Sequence, residues 1–308
     1  MRHRPCSDEF RVLFANVSSW TPAQDMQRDR TQVRAHAVEQ FFLASQAHLA
    51  FAAETHMPHQ QCEAVAQRLS ARGWWTSAAA AQPSLRSPTG THGGVLSLCR
   101  KHVCSAPLAS DTLASNSPLV DLVGRVLYFK FAELLMLAAY FVDGIGLTGE
   151  NMCRLQQVDR VTACGKTPFI LSADFNMEPS ELAQSGWLER VKAQIVVPAN
   201  STHTCVPSHG RPRVIDYLVV SSALIPFVSK LTVRTDVPWR PHYALSFAIR
   251  QSPWQVNVLQ CPTPSPWTVK PTEQSAQQGI TWAQALDAAP GRCAWAAAPG
   301  YLRPCAAA

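Results

Sequence analysis

The sequence predicts an α/β fold with two β-sheets packed face to face and helices covering them on the outside. Three observations carry that expectation. Short apolar runs of strand length recur along the chain, longer segments between them repeat their apolar residues at three- and four-residue steps, and some runs follow one another closely enough to pair as hairpins. The 308 residues are enough to bury a large core, and a single domain of about 240 residues accounts for most of them.

The elements follow in order. Phe10 to Val17 reads as a strand ending at Asn16. Helical spacing over 30–50 sets Val33, Ala37, Phe41, Ala44 and Ala47 on one stripe, and a second apolar run, Leu49 to Ala53, ends in Glu54-Thr55-His56. Gln61 to Arg72 is a second helix, closed by Gly73. By composition 78–91 is a loop, after which Gly93-Gly94 opens a strand from Val95 to Cys99; 105–118 is another loop. Val126 to Lys130 and Leu134 to Val142 are strand-like, with Glu133 near the turn between them. Glu150 to Cys164 has helical spacing through Met152, Leu155, Val158 and Val161. Pro168 to Leu171 is a short buried strand, and Ser180 to Val191 a helix with Ser180 at its cap. Val214 to Val220 is a β-rich run with Asp216 inside it, and Ser246 to Ile249 is the last strand.

Composition narrows the function classes. Charged residues make up 16% of the chain, and the net charge is +6. A mild basic excess suits a polyanionic partner, although base composition of the gene produces the same bias. The 10 cysteines form no Cys-x-x-Cys pair, which argues against a structural zinc site. His56, His59 and Cys62 have spacing compatible with a helical metal site, but a solvated helix start after Glu54 reads more simply. Without a secretory signal, a reduced intracellular setting (nucleus or cytoplasm) is expected. The apolar run Leu134 to Val142 is far too short to span a membrane. Residues 251–308 are rich in Pro, Ala and Gln and read as a tail or linker after a domain over 8–250. Trp254, Trp267, Trp282 and Trp295 are unusual there; packing on the domain, a partner, or a junction with a neighbouring coding segment would each explain them.

The chemistry concentrates at strand ends. Asp174 and Asn176 leave their strand one residue apart, so both side chains fall on the same side of the extended backbone. The carboxylate can hold a hard cation or a water, and the carboxamide can donate to a phosphate oxygen. An Asx-turn or a helix cap gives the same local pattern. Asn16, Glu54, Asp216 and His242 stand at other strand ends, which suggests one convergent site; five separate turn caps would produce the same set.

Taken in order, Ala15-Asn16-Val17, Ala53-Glu54-Thr55-His56, Gly93-Gly94-Val95, Ala139-Tyr140, Ala173-Asp174-Phe175-Asn176-Met177-Glu178-Pro179, Ile215-Asp216-Tyr217 and Pro241-His242 resemble the motifs of the endonuclease/exonuclease/phosphatase superfamily. That superfamily includes abasic-site endonucleases, pancreatic-type deoxyribonucleases and the endonucleases of non-LTR retrotransposons. The Asp-Phe-Asn and Ile-Asp-Tyr elements are the specific ones. The resemblance implies a four-layer sandwich and an Mg²⁺- or Mn²⁺-dependent phosphodiesterase acting on nucleic acid, DNA above all, as an endonuclease. A retroelement origin fits the same resemblance. A phosphatase for phosphoinositides or small phosphate esters, or a catalytically impaired binder of nucleic acid or protein, are the alternatives.

The resemblance also implies roles. Glu54 and Asp174 hold the metal, and Asp174 orients or deprotonates the attacking water. Asn16 hydrogen-bonds Glu54 or a metal-bound water, Asn176 steadies a phosphate oxygen, Asp216 fixes His242, and Tyr140 touches the scissile phosphate. Arg213 and Arg240 are candidate phosphate contacts, as is Arg211, whereas Asp143 reads as a solvated turn residue. Thr202 and Thr204 read first as strand-pairing residues. Two positions depart from the family pattern. Pro241 stands where an Asp precedes the final histidine, and Ala53 stands where a Gln often precedes the Glu-Thr-His.

Overall fold

The structure, a computed structural model, describes residues 9–20, 28–84, 90–108, 120–129, 132–165 and 167–250; the expected tail over 251–308 lies outside them. The chain runs through β1 (Phe10–Asn16), α1 (Arg28–Ala44), β2 (Leu49–Ala53), α2 (His59–Ala71), β3 (Trp74–Ala79), β4 (Gln82–Pro83), β5 (Thr91–His92), β6 (Val95–Arg100) and β7 (Ser105–Pro107). It continues through β8 (Leu122–Tyr128), β9 (Glu133–Tyr140), α3 (Gly149–Gly165), β10 (Phe169–Asp174), α4 (Pro179–Ala183), α5 (Trp187–Val191) and β11 (Ala193–Val196). The last elements are β12 (Asp216–Ser221), a 3₁₀ turn (Ser222–Phe227), β13 (Thr232–Arg234) and β14 (Ala244–Ile249).

Two mixed six-stranded sheets form the interior, ordered β13-β14-β1-β2-β6-β3 and β11-β12-β10-β9-β8-β7. Among the described residues, the parallel pair in each is central: β1 with β2, and β9 with β10. Residues of the two inner faces, among them Val12, Phe14, Phe51, Met136, Ile170 and Leu218, pack in the layer between the sheets. The alternate residues Leu13, Ala15, Ala50 and Ala52 pack outward with Val38, Phe42 and Leu69 of α1 and α2. Leu137, Leu171 and Val219 do the same with Leu155 and Val158 of α3. This is the four-layer sandwich expected. Every residue of β2 and β10 is buried, as strands covered on both faces should be, and each fully buried Leu or Phe contributes about 1.5–3 kcal/mol. No described helix is long and apolar enough to cross a membrane.

Several boundaries differ from the sequence reading, each for a local reason. The first helix stops at Ala44, because His48 and Leu49 are drawn into the sheet beside β1. Its buried stripe runs through Val38 and Phe42, while Val33 is 69% exposed. Strand β8 begins at Leu122 instead of Val126. Gly124 interrupts the apolar run, but a Cβ there would lie 2.8 Å from Leu137 Cδ2 and 3.0 Å from Leu108 Cδ2, so the glycine leaves room for those side chains. The helix expected over 180–191 is two short helices. Glu178 forms a capping box with Glu181 in place of the Ser180 cap, and Gly186, at φ +71°, separates α4 from α5. Asp216 opens its strand and is not inside it. Strands β3, β4, β5, β7, β11 and β13 were not anticipated, because their stretches are short or contain polar residues. The end of β3, all of β4 and the start of β5 fall in the expected loop 78–91, and β7, which pairs with β8, opens the expected loop 105–118.

Candidate active site

The C-terminal ends of β1, β2, β9 and β10 and the start of β12 meet at one end of the sandwich. β10 lies between β12 and β9, so Asp174 is opposite Asp216 on one side and Tyr140 on the other. In the facing sheet, Asn16 closes β1, and Glu54 follows β2 directly, with its neighbour Ala53 paired to Asn16. Contacts across the two sheets then fix the cluster.

Asp174 is fully buried. Its Oδ2 accepts hydrogen bonds from Asn16 Nδ2 at 2.7 Å and Asn176 Nδ2 at 3.1 Å, and its Oδ1 accepts the Asn176 backbone N–H at 3.0 Å. His242, also buried, holds its Nδ1 2.9 Å from Asp216 Oδ2. That leaves Nε2 turned toward the site, 3.9 Å from Asp174 Oδ2, 3.5 Å from Asn16 Nδ2 and 3.7 Å from Cys205 Sγ. Glu54 is about three-quarters buried and lies 3.6 Å from His56 Nε2. One ligand atom each from Glu54, Asp174 and His242 can be chosen so that all lie within 4.8 Å of one another.

The electrostatics follow from this crowding. Burial first, and then the Asp216 and Glu54 charges, push the Asp174 carboxyl well above its ordinary value, against the opposing pull of His242 and Asn16. Burial alone would lower the His242 pKa; the Asp216 and Asp174 charges reverse this and raise it well above 6.5. Burial would likewise raise Glu54, but the hydrogen bond with His56 and the influence of His242 and Asn16 hold it below its usual value. Burial first, and then the charges of Glu54 and Asp174, push the Tyr140 hydroxyl upward, which keeps it a neutral donor.

The donor set suits a hard divalent ion. Two carboxylates, Glu54 and Asp174, offer oxygen to it, and the buried Asp216 Oδ1 has no hydrogen-bond partner among the described residues. Three acidic groups gathered in one cluster call for positive charge beyond a single imidazolium. With Nδ1 on Asp216 and its pKa raised by the neighbouring carboxylates, the His242 ring is set to donate from Nε2 toward the same cluster. Backbone strain collects in the same place. Glu54, His56 and Asn176 have φ of +53°, +56° and +52°, each costing about 1–2 kcal/mol for a side-chain-bearing residue.

The structure therefore gathers Asn16, Glu54, Tyr140, Asp174, Asn176, Asp216 and His242 at one location. Other assignments meet competition. Asn176 donates both amide hydrogens within the protein, to Phe141 O at 2.7 Å and to Asp174, so a bond to phosphate requires one to be released. Arg213 pairs with Asp143 at 3.5 Å, and Arg211 with Glu178 at 3.1 Å. Arg240 turns back onto Val237 O and Trp239 O and lies over the Tyr243 ring. His56, His59 and Cys62 form no metal site among the described residues: His59 pairs with Glu63, and Cys62 Sγ donates to Met57 O. Pro241 contributes only its carbonyl, to Val206 N–H, so no third carboxylate stands beside His242 from that loop.

Two supports escaped the sequence reading. The buried Thr204 Oγ1 accepts the backbone N–H groups of both Ile215 and Asp216, at 3.1 and 3.0 Å, fixing the start of β12. A buried pair, Asp121 with Arg154, lies behind Gly94. The signal for it was present: a lone carboxylate inside the apolar run 119–123 needs a partner.

No protein-family model matches the chain, and no curated protein matches it by sequence. Solved structures do match its fold. The AP endonuclease LMAP from Leishmania major superimposes with a TM-score of 0.60 at 15% identity, over 82% of this chain and 92% of that one. The endonuclease domain of TRAS1, a telomere-specific non-LTR retrotransposon, gives 0.54 at 17% identity, over 78% and 98%. The 3′ phosphatase NExo from Neisseria, bound to a product DNA hairpin, gives 0.51 at 15% identity, over 78% and 99%. These neighbours, with others described as endonuclease/exonuclease/phosphatase family proteins, have in common the paired-sheet sandwich, and this chain has the fold of the endonuclease/exonuclease/phosphatase superfamily.

Proposed function

We propose that residues 8–250 form a divalent-metal-dependent phosphodiesterase that hydrolyses a nucleic-acid backbone as an endonuclease, with DNA as the polymer. The convergence of Glu54, Asp174 and His242 within 4.8 Å, with His242 backed by Asp216, carries the reading. The fold neighbours include two endonucleases and an enzyme held with a DNA product, which supports the same class. The net charge of +6 favours a polyanionic substrate.

Each residue has a chemical task. Glu54 and Asp174 would hold Mg²⁺ or Mn²⁺, whose charge lowers the pKa of bound water and offsets the phosphoryl oxygens. Asp174, with its proton affinity raised by burial and by Asp216, takes the proton of the attacking water as its oxygen bonds to phosphorus. Asn16 holds Asp174 Oδ2 in place. His242 donates from Nε2 to a non-bridging oxygen as negative charge builds, and Asp216 stabilises the ring in that protonated form. Tyr140 donates its neutral hydroxyl to the scissile phosphate. Arg213 and Arg240 would exchange their present contacts for backbone phosphates, as Asn176 would exchange Phe141 O for a phosphate oxygen. The P–O bond to the leaving sugar oxygen then breaks with its electron pair staying on that oxygen, which is protonated from solvent water as Asp174 returns its proton to solvent.

Supercoiled plasmid incubated with the protein and Mg²⁺ should become nicked, and Asp174→Asn should abolish the nicking. Phosphate release from inositol phosphates with plasmid left intact would replace the endonuclease by a phosphatase. Pro241 favours one further reading, a silent relative that binds nucleic acid without cutting it. Salt-dependent DNA binding with no nicking under Mg²⁺ or Mn²⁺ would establish that alternative.

A further inference from the structure

We infer that Asp121 and Arg154, neither of which reaches the reacting groups, are positioning residues that set Glu54 for its metal. The inference rests on the metal role proposed for Glu54.

Among the described residues, no side-chain hydrogen bond links Glu54 to the second sheet in the way Asn16 is linked to Asp174 and His242 to Asp216. Its backbone is held instead. The Glu54 carbonyl accepts Ser19 N–H, Thr55 N–H donates to Gly94 O, and His56 N–H donates to Gly93 O. The position of the Gly93–Gly94 segment therefore decides where Glu54 points. Gly94 N–H donates in turn to Asp121 Oδ1 at 2.7 Å. Asp121 is fully buried, and its Oδ2 accepts Arg154 Nη2 at 2.6 Å and Nε at 3.3 Å. Arg154 projects from α3, on the outer face of the opposite sheet, and is itself 96% buried, with Nη1 on Glu150. The chain of contacts thus runs past the end of the second sheet, where Asp121 precedes β8, from its outer helix to the loop of the first sheet that carries Glu54.

The fit leaves little slack. A Cβ on Gly93 would collide with the Asp121 carboxylate, and one on Gly94 would lie 2.7 Å from Thr55 Oγ1. Both glycines have φ in the left-handed region, at +69° and +86°. The Gly-Gly-Val motif is thereby explained: the two glycines let a buried carboxylate approach the backbone that carries Glu54. Asp121 also holds the other side of the site, because its carbonyl accepts Tyr140 N–H at 3.0 Å. Fixing a ligand through such outer contacts is typically worth about 10–100-fold in metal affinity.

Titration of the full chain with Mn²⁺ alone, following the free ion by electron paramagnetic resonance, tests this. Asp121→Ala/Arg154→Met removes both charges together, so no unpaired charge is left buried. It should weaken Mn²⁺ binding about tenfold or more. Val158→Ala, a cavity in the same helix, should change affinity by less than about twofold at a stability loss of similar size. Arg154→Lys keeps the charge but loses the two-pronged contact, and should fall between wild type and the double variant. An unchanged Mn²⁺ affinity in folded double variant, or in Arg154→Lys if the double variant does not fold, overturns the inference. Equal losses in Val158→Ala and the double variant also overturn it, since destabilisation alone would then account for both. If wild type binds no more tightly than Glu54→Gln, the metal role of Glu54 fails, and the inference fails with it.

Discussion

Strand β2 carries His48 just before its first residue and Glu54 just after its last, and the two ends of this one short strand are electrostatic opposites. At the Glu54 end, His242 has the carboxylates of Asp216 and Asp174 for neighbours, and its pKa rises. At the other end His48 has Arg11, His102 and Arg100, and burial together with those neighbours pushes it down to about 4. There His48 serves as a neutral acceptor, taking the Arg11 backbone N–H on Nδ1 at 2.9 Å, and stacks on Phe10. Burial opposes the charged ring in both places, so the sign of the surrounding charge decides the outcome. One histidine is arranged to carry a proton, and the other to stay without one.

The comparison breaks most visibly through loss of activity at the acidic end. Asp174→Asn should lower kcat by about 10³–10⁴-fold, the upper part of the range for losing a general base, measured by plasmid nicking at saturating metal. His242→Gln should lower it by about 10²–10³-fold, as expected for removing a donor to developing negative charge, while circular dichroism remains that of wild type. Comparable activity in either variant would remove that residue's role. Thr204→Val keeps the shape but strips the acceptor from two buried N–H groups, and should cost about 2 kcal/mol in urea unfolding. A loss below a few tenths would mean that the start of β12 is held by other contacts.

The smallest effect belongs to the basic end. In the unfolded chain His48 titrates near 6.5, and in the folded protein near 4. Between those values the unfolded state binds the additional proton, so stability falls as pH drops from 6.5 toward 4. His48→Gln should flatten that part of the stability curve and leave nicking at neutral pH unchanged. A variant with the wild-type slope would show that His48 is not held neutral.

The same contrast explains which parts of the site could be read from sequence. Asp174 and Asn176 are two residues apart on one extended segment, so their shared direction follows from strand geometry alone. Asn16, Glu54 and His242 could be nominated because each closes or precedes an apolar run, and Asp216 because it is a lone carboxylate within a β-rich one. The support behind them was less visible. Asp121 meets Gly94 across 27 residues of sequence and Arg154 across 33, and no local pattern relates the three positions. Thr204 looks like any strand threonine until the two N–H groups it receives are seen. The expected strand from Val126 leaves out the first half of β8, where Gly124 stands, although in the sheet that glycine leaves room for Leu137 to pack. Asn176 illustrates the opposite limit: its place in the site was legible, but the engagement of both its amide hydrogens was not.

The most direct test of the account is an anomalous difference map from crystals soaked in Mn²⁺. A single strong peak bridging the carboxylates of Glu54 and Asp174, absent from Glu54→Gln crystals, is the predicted result. A peak bound only at another surface, or none at saturating Mn²⁺, would contradict a metal-dependent site built from both sheets.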